Sequence, residues 1–437
     1  MKMNYIRYLG PIAGTIALGL LASGCGGEKP ASSGSEAPAA VQAEAEKPVT
    51  VKLYVSSGWF TDEDLEKLIY GPVKKKAPYI TLERKEGDIN KLLAAGDIPD
   101  LFVTHSGNIL QYTELGIMSD LNELVKQRKF DLNRFDPTVI NSLRYDGKLM
   151  ALPYAINFTA LYYNKDIFEK FGIAFPKDGM TWDDAIELAK KLTRTEAGTK
   201  YRGIDPETPS RLTRVLGIDN VDYKTNKAIV NSDGWRTIFD IYKKAFSIPG
   251  NMPASGSILG NPGYNEFFKD KTLAMYPTVN RFSLLKEAEK SGLNWDVVQY
   301  PSMPGKPGIG TDVDAHIFTI SAGSKVKDAA MKVIEIVTSD EVQMTMAKET
   351  ARLSPLRDPA FTNAFAADFG IAAGKNIAGI FKSRRIEAPI RSKYLSNADT
   401  IVSKYLKDYV DGVTDVNSAL RAAEEEINKY IAAQVGK

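Results

Sequence analysis

Between Val49 and Val103 the hydrophobic pattern switches from a two-residue period to a helical one and back, and this alternation constrains the fold class more than any other feature. Val49, Val51, Leu53 and Val55 alternate with Thr50, Lys52 and Tyr54, which predicts a half-buried strand. Ser56-Ser57-Gly58-Trp59 ends it. A polar helix is expected over 62–76, stopped near Pro78, and a second strand over 79–85. A short helix ends at 92–96, and Ile98 to Val103 reads as a third strand. Strands alternating with helical stretches predict a mixed α/β fold with parallel pairing. At 437 residues the chain exceeds one ordinary domain, so two are expected. Further helices are predicted from the capping box Thr181-Trp182-Asp183-Asp184, followed by Ala185, Ile186, Ala189 and Leu192 at helical spacing. Another opens at Ser324 and buries Ala329, Ala330, Val333, Ile334 and Val337; a last one buries Val416, Leu420, Ile427 and Ile431. The Gly-, Pro- and Ser-rich stretch 251–263 reads as a surface loop.

Ahead of the folded body stand Lys2 and Arg7, an apolar run from Leu9 to Leu21, the small residues Ala22, Ser23 and Gly24, and then Cys25. The run is too short for a membrane span, which needs about 20 apolar residues. The pattern resembles a bacterial lipobox, in which the cysteine thiol takes a diacylglycerol and the chain is cut just before it. Ala22 departs from that pattern, where leucine is more usual. The expectation is a signal peptide over 1–25, a lipid anchor on Cys25 and a flexible linker over 26–48, with a reach of about 25 Å. The protein would then be tethered to the outer face of the bacterial cytoplasmic membrane, extracellular in a Gram-positive cell. The alternative is an ordinary cleaved signal with a chance cysteine.

Composition excludes much chemistry. Cys25 is the only cysteine, so beyond it no disulfide, thiolate metal site or cysteine nucleophile is available. Two histidines, His105 and His316, are too few for a usual zinc site and leave little room for serine–histidine chemistry. No cofactor or metal is expected. A net charge of +2 gives no nucleic-acid footprint. Ser283–Lys286 and Ser324–Lys327 satisfy Ser-x-x-Lys but lack its companion motifs. Asp312 and Asp314 could be offered as a glycosidase pair, yet near neighbours in the chain do not predict opposed carboxylates. The same alternation hints at calcium, without the ladder ending in glutamate that an EF-hand uses. Aromatics are plentiful, and Tyr (20) and Trp (4), with an apolar face and a polar edge, suit amphipathic ligands, although most must be core.

A resemblance emerges at Ala94-Ala95-Gly96-Asp97-Ile98-Pro99-Asp100-Leu101 and strengthens at Tyr145-Asp146-Gly147-Lys148-Leu149-Met150-Ala151-Leu152-Pro153-Tyr154. It continues at Ala160-Leu161-Tyr162-Tyr163-Asn164-Lys165-Asp166, Pro176, Thr181–Ala185 and Phe267-Phe268-Lys269-Asp270-Lys271-Thr272-Leu273-Ala274-Met275. In these blocks the chain is similar to the extracellular sugar-binding lipoproteins of bacterial ABC importers, the group that includes maltose-binding protein. The resemblance implies a type II periplasmic-binding-protein fold: two α/β lobes, a hinge and a ligand cleft. It places lobe 1 at 49–155 and 302–352 and lobe 2 at 156–301 and 353–437. The crossings fall near Ala155–Asn157, Gln299–Pro301 and Leu353–Pro355. It implies a monomeric receptor, not an enzyme, that captures a saccharide by lobe closure and delivers it to the permease subunits. The alternatives are a receptor for a peptide or other polar solute, and a secreted carbohydrate-active hydrolase.

Sugars need hydroxyl partners and an aromatic platform. The resemblance points to Trp59, with Ser57, as such a platform after the first strand. His105, Ser106 and Asn108 lie in a loop that contacts sugar in relatives. Asn157 stands at the first crossing where maltose-binding protein carries a carboxylate. Tyr154 beside it suits stacking or hinge packing, while Tyr163 is expected in the core of lobe 2. Tyr264 and Arg281 fall where relatives place aromatic contacts, and Asn280 and Thr278 share the Arg281 loop. A guanidinium in place of an aromatic makes an acidic sugar conceivable, since arginine holds carboxylates bidentately; a structural ion pair is the competing role. Asp312, Asp314 and His316 form a polar cluster at the cleft edge that could bridge sugar hydroxyls. Arg352, before the third crossing, reads as structural.

Overall fold

The computed structural model describes residues 47–55 and 60–435. The expectations for the segment 1–46, for the lipid anchor Cys25, and for Ser57 and Trp59 lie outside the described residues. The strands that build the framework are β1 (Val49–Val55), β2 (Ile80–Lys85), β3 (Leu101–His105), β4 (Leu152–Ile156), β5 (Thr159–Asn164), β6 (Arg194–Glu196) and β7 (Thr199–Ile204). They continue with β8 (Leu273–Val279), β9 (Trp295–Gln299), β10 (Ile309–Asp312), β11 (Ala315–Ile320) and β12 (Arg384–Ile386).

One five-stranded sheet runs β2-β1-β3-β11-β4, and a second runs β9-β5-β8-β7-β6. Pairing is parallel at β1–β2, β1–β3 and β7–β8, as the strand–helix alternation predicts. It is antiparallel where β11 enters between β3 and β4, and where β5 lies between β8 and β9. Local periodicity cannot foresee these pairings, because β11 comes from far along the chain. β4 closes the first sheet at Ile156, and three residues later β5 opens the second at Thr159.

The helices that matter for the site are α1 (Trp182–Leu192), α2 (Pro209–Leu216), α3 (Asp233–Phe246), α4 (Phe282–Lys290), α5 (Lys327–Val337), α6 (Asp340–Thr350), α7 (Leu395–Val410) and α8 (Val416–Val435). α1 starts with the expected capping box, Thr181 and Asp184 bonding each other's backbone N–H. It lies so close to β7 that a side chain on Gly203 would meet the Ala189 backbone. α5 begins at Lys327 rather than Ser324: the Ser324 hydroxyl donates to Asp100 (2.7 Å) and accepts from the Val326 N–H, forming a turn before the helix. The polar helix over 62–76 forms, with one π-helical segment at Glu66–Tyr70. The stretch from Asn251 is not wholly surface. Asn251 is fully buried and its side chain bonds Gly203 and Ile204 of β7 and the Ala245 carbonyl, bracketing sheet to helix.

Two apolar cores result. The second gathers Leu161, Tyr163, Trp182, Trp235 and Ile427 around α1, α3, α7 and α8. The first runs from Val51, Phe102 and Ile317 of one sheet to Tyr162 and Tyr276 of the other. Phe158, at the step from β4 to β5, meets Phe282 and Phe365 edge-on at 6.2 and 5.4 Å. The passage between sheets is therefore a packed aromatic joint. Among the described residues no helix is long and apolar enough to cross a membrane.

Candidate functional site

The ends of β3, β4 and β11 on one side, and α2 with the segment after β8 on the other, wall a cavity of about 640 Å³. This lies within the usual range for small-molecule sites.

The first wall follows from strand register. Antiparallel pairing sets His105 of β3 directly opposite His316 of β11. The Asn157 N–H donates to the Asp314 carbonyl (2.8 Å), and its side-chain amide donates to the Asp314 carboxylate (3.1 Å). The same amide lies 3.4 Å from His316 Nε2. Burial pushes the His316 imidazole down to about 4, against the pull of Asp314. Burial also lowers His105. Near neutrality such imidazoles are uncharged, each offering one donor and one acceptor nitrogen. Burial opposes ionisation of Asp314, but Arg214, His316, Arg211 and the Asn157 bond outweigh it and hold the carboxyl well below the usual carboxylate range.

The second wall is cationic. After β7 the chain turns through Glu207, whose backbone sits in the left-handed region (φ 64°). Its N–H donates to Asp205 (2.9 Å), and its carbonyl accepts from the Tyr242 hydroxyl (3.0 Å). Thus fixed, the buried Glu207 carboxylate accepts from Arg211 Nε (2.7 Å) and Arg281 Nη2 (3.1 Å). Arg211 and Arg214 share one face of α2 at i, i+3 spacing. Arg214 donates to Asp312 (3.0 Å), which Arg391 bonds from the other side. Arg352 contributes from beyond α6, bonded to Asp64 (2.9 Å) and lying over the Phe60 ring.

Of the residues expected from sequence, His105, Asn157, Asn280, Arg281 and Asp314 line this cavity. Asn280 also ties the second wall to the end of α6, donating to the Ala351 carbonyl (2.8 Å). Other expected contacts sit elsewhere. Tyr154 is fully buried in the first core, stacked on Phe60 (5.4 Å) and against Phe318 (5.0 Å). Tyr264 packs on Phe268 (5.3 Å). Asp312 is wholly buried beneath the wall between two guanidinium groups. Ser106 accepts from the Ala315 N–H (3.2 Å), and Asn108 donates to Thr104 (2.8 Å); both are positioned to brace the loop itself. Asp312 and Asp314 face arginines, which does not fit a calcium site. Among the described residues no group of three or more His, Cys, Asp or Glu side chains could hold a metal.

Sequence reasoning missed Glu207, Arg211 and Arg214. The signal available was Thr208-Pro209 starting a helix, with two arginines three apart on it. A second cavity, about 320 Å³, lies behind Glu207 among Trp235, Tyr242, Ile258 and Asp399.

The two sheets, each with its own helices, meet around this polar cavity. Residues 74–373 match the bacterial extracellular solute-binding protein family, and the chain belongs to it. A putative binding protein of Brucella abortus is 26% identical over 290 residues, 60% of this chain and 66% of that protein. The sn-glycerol-3-phosphate-binding periplasmic protein of Brucella abortus is 36% identical over 183 residues, 40% of this chain and 42% of that protein. The chain thus spans just under two thirds of the first of these relatives and less than half of the second. Among solved structures, an ABC substrate-binding protein of Listeria monocytogenes in complex with cycloalternan superposes with a TM-score of 0.71 at 20% identity, covering 88% of this chain and 99% of that one.

Proposed function

We propose that the protein is the extracytoplasmic receptor of an ABC importer and captures a saccharide between its lobes. The observation that carries the reading is the inter-lobe cavity, walled by neutral imidazoles, amides, a carboxylate and guanidinium groups. These are the partners that hydroxyl-rich solutes require. Family membership and the sugar-bound structural neighbour support it. Ligand contacts from both walls would favour a closed form by their differential affinity, and that form would dock on the permease. The hinge is assigned to 155–157, to 312–314 and to 353–355. The second crossing is placed later than the expected 299–301 because Ser302 pairs with Thr181 at the start of α1 and Met303 and Ile309 pack in the second core, before β11 joins the first sheet. The receptor acts as a lipid-anchored monomer held outside the membrane through Cys25, and it binds without turning its ligand over.

A thermal-shift panel on the full chain in detergent tests this, with neutral and acidic oligosaccharides, monosaccharides, short peptides and divalent metals. At a hundredfold excess over Kd, a native-state ligand adds about 2.7 kcal/mol. A shift with a saccharide class and no product supports the reading. A response to peptides alone points to another polar solute, and product formation points to a hydrolase. For the anchor, Cys25→Ser should release the protein from membranes; continued pelleting contradicts it. Trp59→Ala should weaken binding more than about tenfold if that ring stacks on the ligand.

A further inference from the structure

The two walls of the cavity differ in charge. On the first, Asp314 faces Arg214, and the neighbouring groups are an amide and two imidazoles lowered by burial. On the second, Arg211 and Arg281 share a single carboxylate. Glu207 accepts from Arg211 on Oε2 and from Arg281 on Oε1, so one carboxylate serves both guanidinium groups. Two guanidinium groups on one carboxylate carry one surplus positive charge. Arginine cannot shed it by deprotonation.

Each of these arginines makes one side-chain hydrogen bond among the described residues, Arg211 through Nε and Arg281 through Nη2. Arg281 Nε is buried with no acceptor there. Glu207 therefore orients both forks and leaves most of their donors to the cavity. A neutral ligand closing over this wall would leave the forks' remaining N–H groups without a direct anionic acceptor, their surplus charge countered only by Asp314 of the facing wall, which is costly. A carboxylate or phosphate would neutralise it through charge-assisted, bidentate bonds.

We propose, resting on the receptor reading above, that the ligand is a saccharide or polyol bearing one anionic group. The anion seats on Arg211 and Arg281, and the hydroxyls on Asp314, Asn157, His105 and His316. Carboxylate and phosphate share this chemistry.

Calorimetric titration of the full chain with matched sets tests the proposal and separates the two anions: glucose, glucuronate and glucose 6-phosphate; glycerol and glycerol 3-phosphate. The expected result is an anionic member binding about tenfold or more tighter than its neutral counterpart. Arg281→Gln and Arg211→Gln should each erase that preference, and Arg281→Lys should keep part of it. Melting curves of the three variants show that they fold. Neutral members binding as tightly as anionic ones overturns the anion subsite and leaves the saccharide receptor standing. A preference that survives both Arg→Gln changes puts the anion elsewhere and overturns the assignment. Silence across every saccharide and polyol, with peptides binding instead, overturns both.

Discussion

The two walls of the cleft reach comparable polarity by different means. The first is built from strand ends, and its geometry comes with the sheet: β3–β11 pairing alone puts His105 opposite His316. The second is built from α2 and the segment after β8, elements with no shared ladder. Its coherence depends on buried carboxylates, Glu207 and Asp312, each of which holds two arginines. On the sheet edge only Asp314 is charged and it faces Arg214, whereas a wall of arginines on separate elements needs anions behind it. The difference makes the second wall the more fragile of the two.

The largest effect should come from Asp312→Ala, which removes the buried carboxylate that Arg214 and Arg391 share and leaves them only the longer contacts to Asp314 (3.8 Å) and Asp219 (3.7 Å). Breaking a buried pair on one side costs about 3–5 kcal/mol, read by urea unfolding. A loss below about 1 kcal/mol would mean that the arginines find other partners and that the wall is less dependent on its anions. Glu207→Gln should follow at about 3 kcal/mol, since two charge-assisted bonds weaken together. It should also disorder the anion preference, because both forks lose their orienting group.

The first wall should instead reveal itself through pH. The folded His316 lies near 4 and His105 is also lowered, against about 6.5 in the unfolded chain. The unfolded state therefore binds more protons below about pH 6.5, so this contribution to stability is complete above that pH and is lost as pH falls toward 4. Asp399 works the other way. Burial raises its carboxyl to about 6, so between roughly 6 and 4 acidification favours the fold. His105 and His316 are the only histidines in the chain. The difference between wild type and a His105→Gln/His316→Gln double variant thus isolates their share. Equal pH slopes from 7 to 5 would contradict neutral, desolvated imidazoles.

Smallest of all should be Tyr154→Phe. The ring is core, and its buried hydroxyl has no partner among the described residues. A change within about 1 kcal/mol and unaltered ligand affinity is expected. A tenfold loss of binding would return Tyr154 to the site.

How much of this was legible in the sequence follows the same divide. The β1 alternation, the Thr181 capping box and the apolar faces of α5 and α8 are local signals, and all appear in the structure. So are Asn157 and Asp314, which lie at strand boundaries. The insertion of β11 between β3 and β4 was not legible, because it depends on pairing across some two hundred residues. The arginine wall was half visible. Arg281 stood out against a family pattern, but its partner Glu207 lies 74 positions away and nothing local marks it. Tyr154 takes the packing role of the two expected for it and Asp312 lies beneath the wall, because composition says which side chains suit a sugar and not which way a strand turns them.

The most direct test of the central claim is hydrogen exchange on the full chain, with and without the saccharide that gives the largest thermal shift. Ligand held between the lobes should protect segments from both walls together: 155–158 and 313–316 on one, 207–214 and 279–284 on the other. Protection confined to one wall, or centred on the smaller cavity around Trp235, Ile258 and Asp399, would contradict an inter-lobe receptor.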